Sequence, residues 1–116
     1  MTFNQQLQDL DYSPIKYLND AKRQARKAGY DPTDLTFSTR PAYKLMMTDD
    51  NGKKRHFGRV GYGDYLIYKH LEKLKEVPRG YANEKRNTFQ ASHTKIKGKW
   101  RDDPYSPNML ALKINW

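Results

Sequence analysis

The side chains able to carry chemistry are His56, His70 and His93, the only histidines in the chain, with Asp64 between the first two. Imidazole nitrogen and carboxylate oxygen are ligand types for a transition metal. A metal centre needs its ligands on elements that converge, however, and these four fall at no diagnostic spacing. His56 lies in a stretch of strand character, while His70 and His93 sit on half-apolar faces of two separate helical patterns. The bland role, a histidine packed and hydrogen-bonded within the fold, fits such positions better. The sequence holds no cysteine, which removes thiol catalysis, disulfides and cysteine zinc sites. No serine or lysine dyad and no carboxylate pair at catalytic spacing stands out. The expectation is therefore no enzyme activity, no metal and no cofactor.

A second candidate is the joint Gly58-Arg59-Val60-Gly61-Tyr62-Gly63. A glycine-rich turn from strand to helix can cradle a phosphate on its amides and on the positive helix end, and Arg59 would add charge. The joint lacks the Lys-Ser/Thr ending of a phosphate loop, and the strand before it belongs to a hairpin and not to a βαβ unit. It is read as a tight turn that lets Phe57, Tyr62 and Tyr65 pack.

The elements around the joint follow from local signals. Tyr43 to Thr48 and Lys53 to Phe57 flank Asp49-Asp50-Asn51-Gly52, a hairpin signal because Asn and Gly both tolerate positive φ. Asp64 then caps a helix whose apolar residues are Leu66, Ile67, Leu71 and Leu74. Ser13-Pro14 opens an earlier helix that runs to about Ala28, stopped by Gly29 and Asp31-Pro32. Residues 31 to 41 read as a loop pinned by Leu35 and Phe37. Pro78 and Gly80 separate the central helix from a third, which starts near Asn83, places Phe89, His93 and Ile96 on one face and stops before Gly98.

The two ends are less defined. Residues 1–12, with Gln5, Gln6 and Gln8 and few apolar anchors, read as a flexible arm. Met109 to Trp116 follows the helix-start signal Ser106-Pro107, yet Leu110, Leu112, Ile114 and Trp116 alternate with other residues at strand period. A docked strand is the expectation. The whole is an α+β fold: a β-hairpin packed with about three helices and a docked C-terminal segment, with residues 13–116 as a single basic domain.

Charge restricts the function further. Twenty-two Lys plus Arg against 13 Asp plus Glu leave a net +9, which calls for an acidic partner: nucleic acid, an anionic membrane surface or an acidic protein face. The bases concentrate in two places. Lys22, Arg23, Arg26 and Lys27 cover much of the first long helix. Between residues 79 and 101, seven bases that include Lys85, Arg86, Lys95, Lys97 and Lys99 face the single acid Glu84. With Arg59, these nine form the expected phosphate-contacting set. The lack of any long apolar run excludes membrane insertion, and the polar, amide-rich Met1 to Leu10 stretch shows no secretory leader.

Several motifs together resemble a family of small basic proteins of large DNA viruses, with shorter phage relatives and no known function. They are Phe57-Gly58, Gly61-Tyr62-x-Asp64-Tyr65, His70, Lys85-Arg86-x-x-Phe89, His93, Trp100, Tyr105-Ser106-Pro107-Asn108 and Ile114-Asn115-Trp116. The resemblance spans about Ser13 to Trp116 and implies a viral structural protein. Such a protein would be a minor capsid or internal virion component, made inside the infected host and touching capsid proteins or, through non-specific phosphate contacts, nucleic acid. A nucleic-acid-binding accessory protein outside the particle is the alternative. Hairpin-then-helix order with His56 and His70 also resembles, in part, the ββα-metal nucleases. Their base sits at the end of the first strand, where this chain has Met47-Thr48-Asp49, and a second helical ligand is missing.

Overall fold

The computed structural model describes residues 1–116 and is an α+β globule. Five α-helices, α1 (Phe3–Asp9), α2 (Pro14–Lys27), α3 (Tyr65–Lys73), α4 (Tyr81–His93) and α5 (Pro107–Leu110), surround strands β1 (Leu35–Phe37), β2 (Tyr43–Thr48) and β3 (Lys54–Arg59). The strands form one antiparallel sheet in the order β1-β2-β3, with Leu35 opposite Met47 and Leu45 opposite Phe57.

Three helix starts form where the sequence marks them. Ser13, Asp64 and Ser106 each accept a main-chain N–H of the first turn, and Pro14 and Pro107 occupy positions that need no donor. The end of α2 is also as expected. Gly29 takes φ +92°, and the Tyr30 N–H returns to the Ala25 carbonyl at 3.0 Å, which satisfies a carbonyl the helix leaves open.

Four expectations are corrected. The supposed arm contains α1, closed by a reciprocal cap in which Thr2 and Gln5 each accept the other's main-chain N–H. Its Phe3 and Leu7, one turn apart, and the following Tyr12 are buried in the core, so the N-terminus belongs to the domain. Leu35 and Phe37 do more than pin a loop, because they lie on a third strand. In the hairpin turn only Gly52 has positive φ; the Asp49 carboxylate organises the rest by accepting the Asn51 and Lys53 N–H groups at 2.9 Å each. Finally, Met109 to Trp116 is helical: α5 widens into a π-helical turn over Ala111–Asn115, with the Trp116 N–H reaching the Ala111 carbonyl at 3.1 Å. Leu110 and Ile114, four apart, therefore share one face and are fully buried, while Leu112 is only half-buried.

The core joins these parts. Phe3 and Leu7 of α1, Tyr17, Ala21 and Ala25 of α2, Leu35, Leu45, Met47 and Phe57 of the sheet, Leu66 and Ile67 of α3, and Leu110 and Ile114 make one cluster. Each large member contributes about 1.5–3 kcal/mol by leaving water. The alanines of α2 let the C-terminal segment approach this helix closely.

Candidate functional site

Beneath the glycine-rich joint lies a buried polar network drawn from five elements. Lys44 of β2 places its Nζ 3.0 Å from Asp64 Oδ2 and donates to the Tyr62 carbonyl at 2.7 Å. Tyr17 of α2 donates its hydroxyl to the same carboxylate oxygen at 2.6 Å and accepts from Asn115 Nδ2 at 3.1 Å. The other carboxylate oxygen, Oδ1, accepts the Ile67 N–H at 2.9 Å as the cap of α3. Burial, followed by the adjacent Asp64 charge, raises the Tyr17 hydroxyl well above its ordinary pKa, so it stays a donor. Gln6 of α1 completes the arrangement, accepting the Gly61 N–H at 2.8 Å and donating to the Tyr62 carbonyl at 3.0 Å. Asp64 is thus fully committed to holding the joint.

The glycines act through close approach. A Cβ on Gly58, which sits at φ +76°, would stand 3.1 Å from Asn115 Oδ1, and one on Gly63 would overlap the Tyr68 ring. The side chains the joint accommodates are therefore Asn115 and Tyr68. Tyr62, expected to pack, is 70% exposed.

Above the network opens a cleft of about 640 Å³, between the joint and β3 on one side and α4 with the C-terminal turn on the other. Its far wall is a column of parallel rings: His93 stacks on Phe89 with centroids 3.5 Å apart, and Phe89 stacks on Trp116 at 4.2 Å. Tyr62, Tyr43 and Arg59 line the near side. Arg86 locks the column in place. Its guanidinium lies 3.7 Å over the Tyr65 ring, and its Nε donates to the Trp116 main-chain oxygen at 2.7 Å. Two amide groups that line this cleft carry buried atoms without a partner, Asn108 Nδ2 and Asn115 Oδ1.

The histidines are separate. His56 shares a 2.7 Å hydrogen bond with Ser38 through Nδ1, and burial, then the Arg40 charge, lowers its pKa. His70 stacks on Tyr12 and donates Nε2–H to the Leu10 and Asp11 carbonyls, at 3.1 and 3.0 Å. His93 donates Nδ1–H to the Phe89 carbonyl. No group of three or more histidine or acidic residues is placed to hold a metal ion. No helix is long and apolar enough to cross a membrane.

The ten basic residues singled out from sequence divide by environment. Arg23, Arg26, Lys27, Arg59, Lys85, Lys95, Lys97 and Lys99 are exposed, whereas Lys22 and Arg86 are half-buried. Arg23 alone pairs with a carboxylate, that of Asp20 at 3.1 Å. Arg86 is held within the fold, which removes it from the freely presented set. Arg59 and Lys85 lie over the Tyr43 and Tyr81 rings. Two adjoining grooves that share Arg101, Met109 and Lys113 run from Ala28, just past α2, to Trp100. Helix α4 ends at His93, so Lys95, Lys97 and Lys99 project from a connecting segment and Ile96 leaves the expected face, 44% exposed.

Sequence reading missed Lys44, Tyr17 and Asn115 in the network, the open amide of Asn108, and a basic cluster of Lys69, Lys73, Lys75 and Arg79 around Glu72. Only the last had a signal, its local density of lysines. Comparison with protein-family models, curated proteins and solved structures finds no match to this chain.

Proposed function

We propose that the chain is a non-catalytic nucleic-acid-binding protein that serves as a minor capsid or internal component of a virus particle. The single observation that carries the binding role is the unpaired state of its bases: of the ten singled out, only Arg23 has a carboxylate within 4.0 Å. Ammonium and guanidinium groups left without internal counter-charges, on a surface of net +9, favour a polyanion that releases its own counter-ions on binding. The virion setting, and production inside an infected cell, rest on the resemblance through the Phe57-Gly58, Gly61-Tyr62-x-Asp64 and C-terminal motifs. A surface of this kind reads the phosphate backbone and gives little sequence preference.

The test compares duplex DNA of two unrelated sequences with polyglutamate at low salt. Binding of both duplexes with similar affinity, and weaker binding of the polypeptide, is expected. Polyglutamate binding alone would replace nucleic acid by an acidic capsid face, and preference for one duplex would replace backbone contact by base readout.

A further inference from the structure

We infer that the cleft between the glycine joint and the ring column takes one unpaired nucleobase, with the attached phosphate at Arg59. Four observations converge on that ligand. The volume of about 640 Å³ falls within the roughly 300–1,000 Å³ of small-ligand sites. The wall is a preformed column of His93, Phe89 and Trp116 in which Phe89 is covered on both faces, so a flat heteroaromatic ring extends the column on the outer face of an end ring, whatever its base identity.

The third observation is polar. Asn115 is 2% exposed and its Oδ1 has no donor. The orientation of this amide is fixed from outside: the Tyr17 hydroxyl gives its proton to Asp64 and needs a donor from Asn115, so the carbonyl oxygen must be the open end. Leaving a buried acceptor unpaired is costly. Asn108, whose Nδ2 is likewise buried without a partner, lines the same cleft. An acceptor and a donor match a base edge, which carries both, and a base reaches them once the Asn108 side chain and the joint at Gly58 move aside. The fourth observation is the rim, where Arg59 is exposed and without a carboxylate partner while Tyr62 stands 70% exposed beside it.

The occupant must be unpaired, because a ring inside a duplex stack offers neither face nor edge to a cleft. A free nucleotide and an unpaired residue of a strand share this chemistry. The inference rests on the proposed nucleic-acid role only for the strand source, and the test separates the two.

Fluorescence anisotropy of the full chain is measured with a fully paired duplex, with the same duplex carrying one bulged adenosine, and with a bulged competitor. Adenosine monophosphate is titrated in parallel against the Trp100→Phe protein, which leaves Trp116 as the one indole reporter. The bulged duplex should bind at least about fivefold more tightly than the paired one, the low end of what stacking one base supplies. Tyr62→Ala and Asn108→Ala should abolish that preference and leave paired-duplex binding unchanged. Equal binding of both duplexes with no response of Trp116 to the nucleotide overturns the inference and leaves the basic-surface role standing. A saturable Trp116 response without duplex binding upholds the cleft as a nucleotide site and overturns the proposed polymer role.

Discussion

Lys44 Nζ and Asp64 Oδ2 lie 3.0 Å apart with each side chain 2% exposed, the one ion pair in the chain with both partners out of water. A buried pair of this kind gains little over an apolar pair of the same shape, but losing one partner strands the other. Asp64→Ala should therefore lower the unfolding free energy by about 3–5 kcal/mol in a urea titration. Tyr17→Phe, which removes one hydroxyl donor and keeps the ion pair, should cost about 1–3 kcal/mol because it also leaves Asn115 Nδ2 without an acceptor.

Gly58→Ala and Gly29→Ala form a matched comparison. Both glycines have positive φ, but a Cβ on Gly29 would face open space and one on Gly58 would meet the Asn115 amide at 3.1 Å. Left-handed strain alone costs about 1–2 kcal/mol. Gly29→Ala should show that loss in thermal melts, and Gly58→Ala should exceed it while also changing Trp116 fluorescence, since Asn115 and Trp116 are neighbours in the cleft wall.

The C-terminal turn is part of the core, with Leu110 and Ile114 fully buried. Ile114→Ala should destabilise by about 2–5 kcal/mol in the same titration. Deleting Met109 to Trp116 removes both anchors together with Asn115, and the truncated chain should show no cooperative melt by circular dichroism.

How far the sequence discloses this architecture depends on the range of the signals. Caps act within a few residues, so Ser13, Asp64 and Ser106 are readable as helix starts. The Thr2-x-x-Gln5 pair carried the same kind of signal for α1, but the polar glutamines around it obscured the i, i+4 pair Phe3 and Leu7. At the C-terminus two periods compete: Leu110, Leu112, Ile114 and Trp116 fit a strand, yet Leu110 and Ile114 also fit one helical face, and the Ser106-Pro107 cap agrees with the helix. Tertiary chemistry has no comparable local mark. Lys44 reads as an ordinary strand lysine until Asp64, twenty residues away, and Tyr17 close around it, and Asn115 meets Tyr17 across 98 positions.

Acid should unfold the protein through its main-chain-bonded carboxylates. Hydrogen bonds from the Lys53 and Asn51 N–H groups and the Arg55 guanidinium, the Lys53 bond foremost, hold Asp49 below its ordinary pKa despite its burial. The Ala82 and Gly80 N–H groups do the same for Glu72. A depressed carboxylate stabilises fully above its unfolded pKa, about 4, and loses that contribution as pH falls through the folded value. Unfolding free energy measured from about pH 5 downward should fall, and Asp49→Asn should be less stable at neutral pH with a shallower acid dependence.

The salt dependence of duplex binding tests the central claim most directly. For the intact protein, log affinity should fall linearly with log salt at about −0.9 per phosphate neutralised. Replacing Lys95, Lys97 and Lys99 together by Gln should reduce the slope by about 1 for each lysine that contacts phosphate and weaken binding alike on every sequence. Affinity insensitive to salt, or a slope unchanged in the triple variant together with Lys27→Gln and Arg26→Gln, would contradict the assignment of these exposed bases to a nucleic-acid backbone.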